Sequence, residues 1–79
     1  MAYEFQVLGW RDFAGNDPYD EAPTQADLPN VAGVFVHYWD DETGDDSYEW
    51  VMHDEPYEHW QDWYDAIADS LADYGLEVA

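Results

Sequence analysis

Carboxylates are the one reactive group this chain carries in quantity. Twenty Asp and Glu stand against a single Arg and no Lys, a formal net charge of −19 at pH 7. Glu58, Asp62, Asp65, Asp69 and Asp73 recur at steps of three and four, which is one stripe of a helix. Asp40, Asp41, Glu42, Asp45 and Asp46 crowd a second acidic patch into residues 40–46. Carboxylates accept paired hydrogen bonds from arginine, so a fixed row of them can stand in for phosphates before a basic protein. The row has a cost. Like charges at these spacings oppose the helix by about 0.2–0.5 kcal/mol per pair, and no Lys or Arg in the segment offsets them. Asp69 and Asp73 also lie near the negative end of the helix dipole. Either a partner reads this stripe, or it is a solvated face in a chain that is acidic throughout.

Other chemistry finds less support. His37, His53 and His59 are the only histidines. None has the converging partners a general base or a ligand set needs, and each reads as structural or solvent-facing. Carboxylate pairs occur everywhere, so none selects a two-metal site. The 40–46 turn fails as a calcium loop: counted from Asp40, Gly44 falls at position 5 rather than 6, and no Glu stands at position 12. The expectation is a chain that is not an enzyme, with no catalytic residues, metal or cofactor.

The elements that must position the acids follow from periodicity. Asp54–Gly75 reads as one helix, capped by Asp54 or Glu55, with Pro56 in the first turn and Gly75 as the C′ stop. Its apolar stripe is Trp60, Trp63 or Tyr64, Ile67, Leu71 and Tyr74. Ile67 and Leu71 favour the face of Trp60 and Tyr64, which puts Trp63 at the helix edge as an anchor able to stack on a partner's arginine. Tyr3–Leu8 alternates as a strand that Gly9 ends. Residues 9–30, with Pro18, Pro23 and Pro29, read as a long irregular connection. Trp10, Phe13 and Tyr19 are its candidate pins, and Thr24 with Asp27 marks a capped turn. Val31–Trp39 is apolar on both faces and reads as the central strand. Asp40–Asp46 turns around Thr43-Gly44, and Tyr48–His53 returns with Tyr48, Trp50 and Met52 on one face.

The order β-loop-β-β-α predicts an α+β fold. It has two layers, a three-stranded antiparallel sheet under one C-terminal helix, and Leu76–Ala79 can add a short fourth edge strand. Seventy-nine residues make one domain, 1–79. At 47% hydrophobic and 19% aromatic residues the chain can build a core, and with no cysteine it relies on no disulfide. It has no long apolar run and no basic-then-apolar leader, so a soluble, cytoplasmic protein is expected.

Two resemblances follow from these residues. Leu28-Pro29-Asn30-Val31-Ala32-Gly33-Val34-Phe35-Val36, with Thr43-Gly44 and Tyr48, resembles the opening hairpin of GIY-YIG nucleases over about a quarter of the chain. Glu49-Trp50 stands where that family has Val-Gly, and no Arg follows position 11, so no nuclease activity is carried over. The size, acidity and carboxylate rows together resemble small phage-encoded DNA-mimic inhibitors, the anti-restriction and anti-CRISPR proteins. That likeness is one of profile and transfers no individual residue. It implies a DNA-binding host complex as the target, and the host cytoplasm as the place.

The charge excludes nucleic acid and anionic membranes as direct partners and favours a basic protein, whose approach it would steer. The expected function is a DNA-mimic inhibitor that occupies the cationic nucleic-acid-binding surface of a host defence protein. A homodimer through an unprotected strand edge would extend its acidic surface. The rival expectation is a small halophilic protein with a structural or protein-binding role, its acids harmless in strong salt.

Overall fold

A computed structural model describes residues 2–16 and 20–78. Four strands form one sheet: β1 (Ala2–Asp12), β2 (Val31–Trp39), β3 (Asp46–Met52) and β4 (Glu77–Val78), in the order β3-β2-β1-β4. The first three are antiparallel, and one helix, α1 (Trp60–Ala72), follows them. This is the α+β arrangement read from the sequence. The fourth strand exists but is only two residues long and pairs in parallel with β1 at Ala2 and Tyr3. Ala79 and Tyr19 lie outside the described residues.

Strand β2 is central and spans the residues its apolar run predicts. Strand β1 departs from expectation, because Gly9 does not end it. Val7 pairs with Val36 and Gly9 with Phe35, so Leu8 is the extra residue of a bulge. The bulge shifts the alternation by one residue. Phe5 and Val7 face the helix, and after the shift Trp10 does too, where it joins the core at 7% exposure. The connection is accordingly shorter than 9–30. Phe13 is exposed, at 47%. Asp27 accepts hydrogen bonds from the Thr24 backbone N–H at 2.8 Å and the Thr24 hydroxyl at 3.0 Å, holding the turn before a single 3-10 turn at Leu28–Asn30.

The helix begins four or five residues later than its capping signals imply. His59 is the N-cap and makes no side-chain cap bond. Aromatic packing decides this. Tyr57 stacks on His53 at 4.1 Å and meets Trp63 edge-on at 4.8 Å, so residues 54–59 bridge strand to helix instead of coiling. The C-terminus is as expected. Gly75 has φ +79°, and the N–H groups of Leu76 and Gly75 donate to Leu71 and Ala72 at 3.1 and 2.9 Å. That is a Schellman motif, which requires the left-handed conformation glycine allows.

The core lies between α1 and one sheet face. Trp63, Ile67 and Leu71 pack with Trp10, Leu28, Val31, Val34, Val36 and Val51. The helix is therefore rotated from the expected phase. Trp63 is completely buried, while Tyr64 and Tyr74 are exposed. The edge position for Trp63 is overturned, because the deepest part of the core, beside Tyr57, takes the largest side chain.

Candidate partner-binding surfaces

The helix row is shorter than the sequence implies. Glu58 precedes α1, and its backbone carbonyl accepts a hydrogen bond from the Gln25 side chain at 3.0 Å. The remaining row runs from Asp62 to Asp73, about 16 Å at 1.5 Å per residue. Asp65, Asp69 and Asp73 are exposed and Asp62 is half-buried. Asp65 accepts from Gln61 at 3.0 Å, one helical turn away. The row's field reaches inward: burial raises the pKa of the Tyr57 hydroxyl, and the charges of Asp62 and Asp69 raise it further.

The far end of this row is tied to the hairpin. The Tyr74 hydroxyl donates to Glu49 at 2.8 Å and the Ser70 hydroxyl donates to the same carboxylate at 3.3 Å. The hydrogen bond to Glu49 is the main reason the Tyr74 pKa is raised. Glu49 stands on β3, whose first residue is Asp46. Glu49 thus links the end of the acidic helix to the hairpin, at whose tip Asp41, Glu42, Asp45 and Asp46 are exposed, the Asp46 side chain lying on the opposite sheet face against His37.

Two of the residues expected to meet a partner do not lie on the surface. Trp63 is enclosed in the core, and its indole N–H has no hydrogen-bond partner among the described residues. Asp40 is 2% exposed. Its Oδ1 accepts from the Glu42 N–H at 2.8 Å, and its backbone N–H and carbonyl bond Asp45 and Gly44, each at 2.8 Å. Asp40 is folded inward because it closes the turn, a common use of Asp in this position. Neither side chain stands out on the surface, and Asp40 is reached only through the hollow that it lines.

The sheet face away from α1 holds what sequence reasoning missed. Reading β2 as apolar on both faces implies burial on both. Yet no second helix covers the far face among the described residues. Alternation sends Phe35, His37 and Trp39 there from β2 and Tyr48, Trp50 and Met52 from β3. The rings form a continuous run. Trp39 stacks on His37 at 5.1 Å, His37 on Tyr48 at 4.6 Å, Tyr48 on Phe35 at 5.7 Å, and Phe35 meets Trp50 at 5.1 Å. Arg11 closes the run, with its guanidinium carbon 4.6 Å from the Trp50 ring centre. Tyr48 and Met52 are half exposed, at 55% and 49%. Phe35, His37 and Trp39 in β2 and Tyr48 and Trp50 in β3, each two residues apart, were the available signal.

At the Trp39 end this face opens into a hollow of about 510 Å³, lined by Gln6, His37, Trp39, Asp40, Asp41, Gly44 and Asp46. His37 Nε2 lies 2.9 Å from Asp46 Oδ2, and since the carboxylate can only accept, that nitrogen carries the hydrogen. Beside the hollow, Glu4 has a raised pKa. Its hydrogen bond with Asp41 is the largest cause and the Asp41 charge the next, while a hydrogen bond from Trp39 acts in the opposite direction. The folded protein therefore binds the Glu4 proton more tightly than the unfolded chain. The resulting stabilisation is fully present below the ordinary glutamate value of 4.5 and is lost as pH rises through the raised value. Glu4→Gln should then stabilise the protein at pH 7 and have little effect at pH 4, as read from urea midpoints. A pH-independent difference would show that no proton is shared.

Among the described residues no group of three His, Asp or Glu side chains is placed to hold a metal ion. No helix among them is long and apolar enough to cross a membrane. Compared with protein-family models, curated proteins and solved structures, the chain matches none.

Proposed function

We propose that this protein is a non-enzymatic inhibitor that occupies the cationic nucleic-acid-binding surface of a basic host protein, in the manner of anti-restriction and anti-CRISPR DNA mimics. The observation that carries this reading is the acidic face from Asp62 to Asp73, continued through Glu49 toward the hairpin tip. These carboxylates stand on a helix and a strand, so their spacing is held by hydrogen-bonded backbone and not by a mobile loop. The row alone, four carboxylates from Asp62 to Asp73, is sparser than duplex DNA, which carries roughly one charge per 1.7 Å of axis. The turn acids Glu42 and Asp45 are proposed to extend it, while Asp41 and Asp46 line the hollow on the opposite sheet face. Arg11, the chain's one Lys or Arg, lies over Trp50 on the opposite sheet face, so no Lys or Arg interrupts the acidic side among the described residues.

The test is competition. The protein should displace duplex DNA from its basic target at low salt while its far-UV circular dichroism stays native. Binding to the target should weaken steeply at ~0.5 M salt, since counterions released into more concentrated salt gain less free energy. A protein that loses its fold at low salt, and displaces DNA from no basic protein of its host, would overturn the reading.

A further inference from the structure

We infer that the hollow at the hairpin end of the bare sheet face is a receptor for the guanidinium group of one arginine side chain of the partner protein. This rests on the basic-partner reading above and names the side chain that the site would take.

The first observation is a buried carboxylate with an open valence. Asp40 is 98% buried, from its 2% exposure, and Oδ1 accepts from Glu42, but Oδ2 has no hydrogen-bond partner among the described residues. An unpaired buried carboxylate oxygen is costly. Asp40 lines the hollow with Oδ2 turned just out of reach of solvent, so a small rotation of the carboxylate would present it to a donor entering there.

The second is the chemistry of the walls. Trp39 and His37 supply stacked ring faces, and Asp41 and Asp46 supply further acceptors. Flat rings combined with carboxylates suit a guanidinium, which stacks on aromatics and donates in its own plane to several acceptors. An ammonium has no plane to stack. Arg11 over Trp50 is an instance on the same face of the sheet. The cation would also relieve the Glu4–Asp41 contact at the rim. A bound anion is opposed by every charged wall of the hollow, and a metal ion lacks a converging ligand set among the described residues.

The probe is N-acetyl-arginine amide, titrated into the isotope-labelled full chain and followed by amide and indole resonances. The Trp39 indole and the Gly44 amide should shift together and saturate in the millimolar range. The citrulline counterpart, which has the same shape without charge, and the lysine counterpart should bind about tenfold more weakly or less. Asp40→Asn and Asp46→Asn should each weaken the arginine probe about tenfold. Asp46 is exposed, so its variant keeps the test valid even if Asp40→Asn fails to fold. Equal binding of the arginine and citrulline probes, or arginine binding unchanged in Asp46→Asn, overturns the inference. A protein that displaces DNA but leaves the hollow's resonances unmoved by the arginine probe overturns the hollow alone. One that binds the probe in the hollow but displaces no DNA supports the arginine site and overturns the inhibitor reading.

Discussion

Reversing Asp62, Asp65 and Asp69 to lysine together should weaken competition with DNA by about 100-fold. Each site loses an exposed ion pair worth about 0.2–1 kcal/mol and gains a repulsion of similar size, roughly 1 kcal/mol per site and 3 in all. Three reversals change the net charge by six units, from −19 to −13. The variant therefore remains strongly acidic, and a control separates position from total charge. Asp20, Glu21 and Asp54 are exposed and lie outside the helix. Reversing those three gives the same −13 and should leave competition within a few-fold of the parent. The fold should survive in both variants. In the helix the 62/65 and 65/69 pairs only exchange one like-charge repulsion for another, the 69/73 pair becomes attractive, and the gain of a cation at position 69 near the C-terminal end offsets the loss of the first-turn acid Asp62. Equal losses in the two variants, measured by displacement of labelled DNA, would show that overall charge and not the helix face does the work.

Trp63→Ala should cost about 3–5 kcal/mol, the usual range for emptying a buried tryptophan site. A domain of this size has roughly 4–12 kcal/mol in total, so most of its stability goes, with a fall in Tm of about 15 °C or more. Trp63 is fully enclosed, packs edge-on against Tyr57, and is the largest of the fully buried side chains. Trp63→Phe should cost well under half as much. It keeps a ring beside Tyr57 and removes an indole N–H that has no partner among the described residues. Urea unfolding followed by circular dichroism gives both values. If Trp63 were instead a surface anchor, Trp63→Ala would leave the midpoint unchanged and abolish partner binding.

The parts of this protein legible in its sequence are those set by short-range covalent geometry. A continuous apolar run marks β2, a period of two marks β3, and a period of three to four marks the helix. Gly44 and Gly75 sit where φ is positive, at +75° and +79°. The surplus of acid is a matter of counting. The acidic stripe was legible too, because charges on the solvent side of a helix need only the helix itself. What the tertiary structure decided is everything that depends on which partner a side chain meets. Periodicity leaves the rotation of α1 open by some tens of degrees, and the fit of Trp63 against Tyr57 settled it. The same packing moved the helix start past Pro56 to Trp60, and the Leu8 bulge turned Trp10 inward. Asp40 looks like its neighbours in the chain, yet closing the turn drew it inside. With one helix and two sheet faces, only one face can be covered. The choice fell to the packing of Val34, Val36 and Val51, and it left the rings of β2 and β3 facing out.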